Sequence, residues 1–318
     1  MRVLIVGGLG YVGGRLANYL YGHHGFKISL TTTRPSFPAW SKPFDVRQMN
    51  ILEHKSMDDC LSRVKPDVVV HLGALQQSEC QANRELALKI NHQGTENLVR
   101  CSKENGVKRF IYFSTFQVYG NFTGEITEQT PPDPKTVYAE TKLLGEETAR
   151  KYGSSEFKVL ALRLANAYGY PCDTRVAESV WTLAFNAFCR KAIEDGRLTI
   201  KSNQYRNFIP MSDVVRVIEF FLTNGIHQWQ DGLFNLGSED CLNISQAAEN
   251  VARIYEEMFP LKHLKIEGPT MDLEKVFTSF HYNIEKLNKT GFIGLGDIDW
   301  EIRQTLEFCY KHRGRTSK

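Results

Sequence analysis

The sequence predicts an α/β fold with a doubly wound parallel sheet. Three observations predict it. Short apolar strands alternate with helical patterns through the first half of the chain. Those strands are apolar at almost every position, as in VVVHL, which suits a parallel sheet covered on both faces rather than a half-solvated one. The first strand also runs into a glycine-rich turn that opens a helix, GGLGYVG at residues 7–13.

In chain order, RVLIVG (2–7) reads as a strand, and YVGGRLANYLYGHH (11–24) as a helix with Val12, Leu16, Tyr19 and Leu20 at helical spacing. KISLTT (27–32), PDVVVHLGA (66–74) and RFIYFST (109–115) are strands, and KVLALRLAN (158–166) is another after the helix YAETKLLGEETARKY (138–152). Beyond residue 167 the pattern changes. VAESVWTLAFNAFCRKAIEDG (176–196), MSDVVRVIEFFL (211–222) and ISQAAENVARIYEEMF (244–259) read as helices, with LTIKS (198–202) a short strand. TEQTPPDPKTVY (127–138), rich in proline and acid, is expected on the surface, and RGRTSK (313–318) as a frayed tail. No internal repeat interrupts this order.

Composition narrows the function. With 42% hydrophobic and 24% charged residues the chain is ordinary globular material, and a net charge of +3 gives no reason to expect nucleic acid or an anionic membrane as partner. No apolar run approaches the roughly 20 residues of a membrane span, and MRVLIVGG is no secretory leader, so a cytoplasmic location is expected. The seven scattered cysteines form no CxxC and the nine histidines no HExxH or HxH, so neither a disulfide framework nor a metal site is expected.

Gly7, Gly10 and Gly13 stand in the first strand-to-helix turn. Such a turn needs one glycine to bend, one to let a pyrophosphate approach the backbone, and one to seat the helix on the strand. The helix N-terminus then presents N–H groups to the phosphates. The end of the second strand discriminates NAD from NADP, by an acid for the ribose 2′-hydroxyl or an arginine for a 2′-phosphate. Here it reads LTTTRPS: Thr32 and Thr33 lead into Arg34 and no carboxylate is present. NADP is therefore the expected cofactor, with NAD the alternative if Arg34 is merely solvated.

Tyr138 and Lys142, in YAETK, share one face of a helix. An ammonium there is expected to lower the phenol's pKa from about 10 and fit it for proton exchange with a hydroxyl or carbonyl during hydride transfer. Ser114 and Thr115 end a preceding strand, and a hydroxyl there is placed to bind the same oxygen.

Together these segments resemble the extended short-chain dehydrogenase/reductase family, in its nucleotide-sugar epimerase/dehydratase branch. The resemblance runs through GGLGYVGG (7–14), VVVHLGA (68–74), INHQGTENL (90–98), FSTFQVYG (113–120), YAETK (138–142), LRLANAYG (162–169), RNFIPMSDV (206–214) and FNLGS (234–238). It implies Thr115, Tyr138 and Lys142 as the catalytic set, and Gly7, Gly10, Tyr11, Val12 and Gly13 at the cofactor diphosphate. It implies Asn50 and Ile51 beside the adenine, where the family usually has Asp-Ile, and Leu72, Gly73 and Ala74 along the cofactor path. Asn91 would shape the backbone near the active site, and Asn166 and Arg206 would hold the diphosphate of a nucleoside-diphosphate sugar. Arg-Asn-Phe at 206–208 departs from the family's Arg-Asp-Phe. The resemblance further implies a Rossmann domain over 1–167 and 206–236, a smaller α+β substrate domain over 168–205 and 237–318, and a homodimer through residues 82–105 and 138–152.

Dehydratases of that branch carry Asp-Glu after the threonine, whereas this chain has Phe116 and Gln117. Neither exchanges a proton usefully at neutral pH, and each lost proton-transfer group removes roughly 100- to 10,000-fold in rate. A 4,6-dehydratase is therefore not expected. Phe116 is expected to pack on the sugar and Gln117 to bond a hydroxyl, unless both only fill the pocket wall. The expected reaction is 4-ketoreduction of a 4-keto-(6-deoxy)hexose nucleotide. The alternatives are a 4-epimerase or C4 dehydrogenase holding NAD tightly and, outside catalysis, a dinucleotide-sensing regulator. A 3,5-epimerase would need a further acid/base pair, for which Cys172 and His281 are candidates.

Overall fold

The computed structural model describes residues 1–23, 25–175, 178–268 and 279–313. They form two compact units. One comprises Met1–Asn121, Glu128–Leu164 and Ile218–Asn235; the other comprises Phe122–Thr127, Ala165–Val217 and Leu236–Lys318.

The first unit carries a seven-stranded sheet of β1 (Arg2–Val6), β2 (Lys27–Thr32), β3 (Asp45–Gln48), β4 (Val68–His71), β5 (Arg109–Thr115), β6 (Lys158–Leu164) and β7 (Leu233–Leu236), in the order β7-β6-β5-β4-β1-β2-β3. The pairings that join β1 to β6 are parallel. The order reverses between β1 and β4, so the crevice beyond the C-terminal ends of those strands is where such a sheet binds ligands. β1, β4 and β5 are buried along almost their whole length, which is why they read as continuous apolar runs. β3 adds to the strands expected from sequence: DVRQ is polar, as an edge strand's residues can be.

Helices α1 (Tyr11–Tyr21), α2 (His54–Val64), α3 (Gly94–Glu104) and α4 (Val137–Lys151) belong to this unit. Met57, Leu61, Leu98 and Ala149 on them share a core with Leu4, Val69, Phe110 and Ala161 of the strands. α1 ends at Tyr21 and is capped by Gly22, short of the expected 24; His24 lies outside the described residues. The strand expected over 66–74 ends at His71, because residues 72–74 leave the sheet. The expected surface loop 127–138 is exposed at Gln129, Pro131, Pro132, Asp133 and Lys135 and otherwise half-buried, except that Glu128 is buried and accepts a 2.8 Å bond from the Asn235 N–H.

In the second unit, Tyr205–Pro210 pairs in parallel with Asn166–Tyr168 and antiparallel with Cys241–Asn243. Two-stranded ladders join Lys265–Glu267 to Arg197–Thr199 and Phe280–Tyr282 to Gly124–Ile126. Phe185, Ile254 and Leu306 from the helices Ala184–Glu194, Ile244–Met258 and Ile298–Lys311 meet in its core. These pairings group residues 165–167 and 206–217 with the second unit, so the segment shared with the first is 218–235 rather than 206–236. The helix expected over 176–196 is a short 3-10 turn, Glu178–Thr182, then Ala184–Glu194, because Leu183 is extended between them; Val176 and Ala177 lie outside the described residues. Of the expected tail only Arg313 is described. No helix among the described residues is long and apolar enough to cross a membrane.

Candidate functional site

The glycine turn lies at the switch point of the first unit. Gly7 has φ +79°, a left-handed conformation that disfavours a side chain. A Cβ on it would stand 2.9 Å from the backbone N of Gly73, in the loop that follows β4. The expected cofactor-path residues Leu72, Gly73 and Ala74 are thus brought against the turn. A Cβ on Gly13 would meet the Gly7 carbonyl oxygen at 2.5 Å, which is the close helix seating the spacing predicts. Gly10 is the N-cap of α1, and no side chain caps the helix there. Tyr11, Val12 and Gly13 follow it with no acid in the first turn. Their N–H groups and the helix dipole form a cradle suited to a diphosphate, so the residues present fit a dinucleotide.

At the end of β2, the Thr32 hydroxyl accepts a 3.1 Å bond from the Arg34 N–H, and Gln48 Nε2 donates to the Arg34 carbonyl at 3.0 Å. The Arg34 backbone is held twice. Its side chain is exposed, as is Thr33, and no carboxylate among the described residues pairs with it. Asp45, on the neighbouring strand, is occupied by Ser29 and Arg47. Asn50 closes a local turn, accepting from Leu52 N–H at 3.0 Å and donating to Glu53 at 2.6 Å. Ile51 packs so closely on Gly94 that a Cβ there would meet its Cδ1 at 2.6 Å.

Thr115 ends β5, and its hydroxyl accepts a 3.3 Å bond from the Gln117 N–H and is hydrogen-bonded to Tyr138. Strand alternation sends its neighbour the other way: Ser114 Oγ is buried with no partner among the described residues. Tyr138 and Lys142 lie in the first two turns of α4, whose N-cap Thr136 accepts from the Ala139 N–H at 3.1 Å. The Lys142 ammonium stands 4.2 Å from the Tyr112 ring centroid.

The electrostatics differ from the sequence expectation. Tyr138 is partly exposed as a residue, but its hydroxyl is desolvated, which pushes its pKa up to about 12, opposed by the Thr115 bond. Lys142 is not among the groups that shift it. Burial of Lys142 instead depresses its own pKa to about 7, against an opposing pull from Glu146 and Cys80. Desolvation outweighs proximity, and Tyr138 rests protonated.

Of the residues around this site, Cys80, Tyr119, Glu146, Arg163 and Asn235 are not singled out by the sequence. Asn91, which is singled out there, lies in a π-helical turn, Leu88–Gln93, of a sort that frequently occurs at functional sites. It accepts from the Leu75 N–H at 2.8 Å and donates to Thr141 Oγ1 at 3.1 Å, tying the loop after β4 to α4. Cys80 lies within reach of the same amide, its Sγ 3.4 Å from Asn91 Nδ2, and its negative charge would oppose ionisation of Tyr138. Behind α4, Glu146 and Arg163 form a buried bidentate pair, Arg163 donates to Tyr119 at 2.9 Å, and Tyr119 donates to Asn235 at 2.6 Å. Phe116 is buried and Gln117 half-buried in the turn after Thr115.

Asn166 and Arg206 belong to the second unit. They line a cleft of about 200 Å³ there with Tyr168, Leu183, Phe185 and Phe208. Arg206 donates to Gln204 at 2.5 Å and to the Tyr205 carbonyl at 3.0 Å, and has no carboxylate partner among the described residues. Asn207, where the family has aspartate, turns away: it bonds the Ser238 carbonyl at 2.7 Å and accepts from the Ser238 N–H at 3.0 Å. Cys172 is partly buried; His281 is exposed, with Glu125 at 3.8 Å.

Comparison with known proteins identifies the family. Residues 3–237 match the profile of a family described as the NAD dependent epimerase/dehydratase family. An Escherichia coli N-acetyl-alpha-D-glucosaminyl-diphospho-ditrans,octacis-undecaprenol 4-epimerase is 23% identical over 98% of this chain and 96% of its own. The UDP-glucose 4-epimerase of Thermus thermophilus, solved with NAD, superposes with a TM-score of 0.77 at 20% identity, covering 97% of this chain and 99% of its own. RMD from Pseudomonas aeruginosa, solved with NADPH, gives 0.78 at 23% identity, covering 98% and 99%.

Proposed function

We propose that this chain, which belongs to the NAD dependent epimerase/dehydratase family, is a 4-ketoreductase acting on a nucleoside-diphosphate 4-keto-(6-deoxy)hexose. It is an enzyme of the extended short-chain dehydrogenase/reductase type. The observation that carries the reductive direction is the end of β2: an exposed Arg34 without a carboxylate partner among the described residues, and no carboxylate there to receive a ribose 2′-hydroxyl. That chemistry favours a 2′-phosphate, hence NADP. Gly7, Gly10, Tyr11, Val12 and Gly13 would hold the diphosphate, Thr32, Thr33 and Arg34 the adenosine ribose side, Asn50 and Ile51 the adenine, and Leu72, Gly73, Ala74 and Asn91 the path onward.

Bound there, the dinucleotide supplies the hydride. The chain supplies the proton. Thr115 and Tyr138 hold the sugar's C4 oxygen, and Tyr138, protonated at rest, gives its proton to that oxygen as hydride reaches C4. Lys142, from the same helix face, completes the catalytic set, while the Thr115 hydroxyl, the group that lowers the Tyr138 pKa, stabilises the phenolate left behind. Phe116 and Gln117 lack the acid and base that elimination of water requires, so they serve as wall and hydroxyl contact. Asn166 and Arg206 would hold the substrate diphosphate, Arg206 through a charge that no carboxylate among the described residues neutralises. The reading carries with it a cytoplasmic homodimer.

A 4-epimerase with retained NAD is the second reading, favoured by the full-length similarity to a protein of that name. Heat release of the bound dinucleotide, with mass detection, separates the two. Stoichiometric retained NAD contradicts the reductase, whereas a site that refills preferentially with NADPH supports it. Arg34→Ala should weaken NADPH by about 10- to 100-fold, the worth of a charge-assisted phosphate contact, and leave NADH unchanged.

A further inference from the structure

The spacing of cysteine and histidine in the sequence gives no metal motif, yet the fold of the first unit brings three different donors together. His54 is the first residue of α2, and Cys101 and Glu104 lie one turn apart at the end of α3. The ligating atoms of all three lie within 4.8 Å of one another. His54 Nε2 and Glu104 Oε2 are already 3.6 Å apart. Tetrahedral zinc with bonds of about 2.0–2.3 Å sets its donors about 3.3–3.6 Å apart, so closing the set needs a shift of about 1 Å. His54 and Glu104 are exposed and free to make it, while the Cys101 residue is fully buried and fixed.

We propose that His54, Cys101 and Glu104 form a zinc site that staples α2 to α3. The charges match: thiolate and carboxylate neutralise a divalent cation, and the imidazole binds neutral. The thiol proton leaves to solvent as the metal binds. The mixed sulfur, nitrogen and oxygen set selects zinc over magnesium or calcium, which take oxygen donors. Asp58 follows His54 by one helical turn and accepts a 3.0 Å bond from Asn105 Nδ2, which also lies 3.6 Å from the Cys101 sulfur. Asp58 or a water completes the fourth position. The staple fixes the start of α2, which two residues separate from Asn50 and Ile51, so metal binding stiffens the segment that leads from β3 into this helix.

The test uses the full-length protein stripped with a chelator and titrated with Co²⁺, then Zn²⁺. The expected result is one Co²⁺ per chain, a thiolate-to-cobalt charge-transfer absorption, and its displacement by Zn²⁺. Cys101→Ser should abolish that absorption. Because Cys101 is buried and its replacement risks unfolding the chain, the exposed variants His54→Ala and Glu104→Ala carry the decision. Each should weaken binding by ~10-fold or more through loss of one donor, with an unchanged circular dichroism spectrum. Absence of the charge-transfer band, or unchanged affinity in both exposed variants, overturns the proposal and leaves an exposed His–Glu pair above a core thiol.

Discussion

The proposed chemistry is concentrated in one hydroxyl, that of Tyr138. Thr115 hydrogen-bonds it, and desolvation holds it protonated, with a pKa of about 12. Tyr138→Phe removes the proton donor and little else. Turnover should fall by roughly 100- to 10,000-fold while dinucleotide binding persists; unchanged turnover would show that another group moves the proton. In the same unit, His71 Nε2 is hydrogen-bonded to the Thr95 hydroxyl at 3.0 Å, and burial depresses its pKa to about 3. Below the ordinary value of 6.5, only the unfolded chain takes up this proton. Stability is therefore lost as pH falls from about 6.5 towards 3, at up to about 1.4 kcal/mol per pH unit from this group. His71→Asn should flatten that acid limb in denaturant titrations at successive pH values, and an equally steep limb would contradict the assignment. Lys142 acts in the same direction in the alkaline range. Its folded pKa of about 7 lies below the ordinary 10.5, so its burial cost is full below about pH 7 and is relieved as pH rises between the two values. Helical spacing and strand order make Tyr138, Lys142 and Thr115 legible as neighbours. The shifts are not legible, since desolvation is a property of what covers a group.

The elements that hold the site are set by close approaches. A Cβ on Gly145 of α4 would stand 2.5 Å from the Tyr112 hydroxyl and 2.7 Å from the Asn91 carbonyl. Gly145→Ala should push α4 away from β5 and the π-helical turn. It should cost about 1–3 kcal/mol, as overpacking does, measured by denaturant unfolding; a neutral result would mean that α4 is not clamped there. One residue on, the buried Glu146–Arg163 pair braces α4 against β6. Glu146→Gln strands a buried guanidinium and should cost about 3–5 kcal/mol, whereas replacing both partners with apolar residues should recover much of it. A double-mutant cycle reads the difference. The glycine turn, the apolar strands and the amphipathic helices are legible because each follows from local pattern. Arg163 and Glu146 are not: they sit on different elements 17 residues apart, and nothing local distinguishes a buried ion pair from two surface charges. Edge strand β3 escapes for a related reason, since its polar residues mask its pairing.

At the scale of the whole molecule, the sequence foretells a first unit with a parallel sheet and a second of mixed character. Their boundaries are less legible, because Tyr205–Pro210 is drawn to the second unit by strand partners at 166–168 and 241–243, distant in sequence. The candidate residues divide between the units as well, with Gly7, Thr115, Tyr138 and Lys142 in the first and Asn166 and Arg206 in the second. In the proposed reaction Tyr138 and a reduced, 2′-phosphorylated dinucleotide together reduce a 4-keto sugar. Its most direct test is to incubate the enzyme with NADPH deuterated at the transferring position and a 4-keto-6-deoxyhexose nucleotide, and to follow the label by mass spectrometry and NMR. Deuterium is expected at C4 of the product, with one NADP⁺ formed per sugar. Inversion of a 4-hydroxy nucleotide sugar on tightly retained NAD, with no net turnover of added dinucleotide, would contradict it.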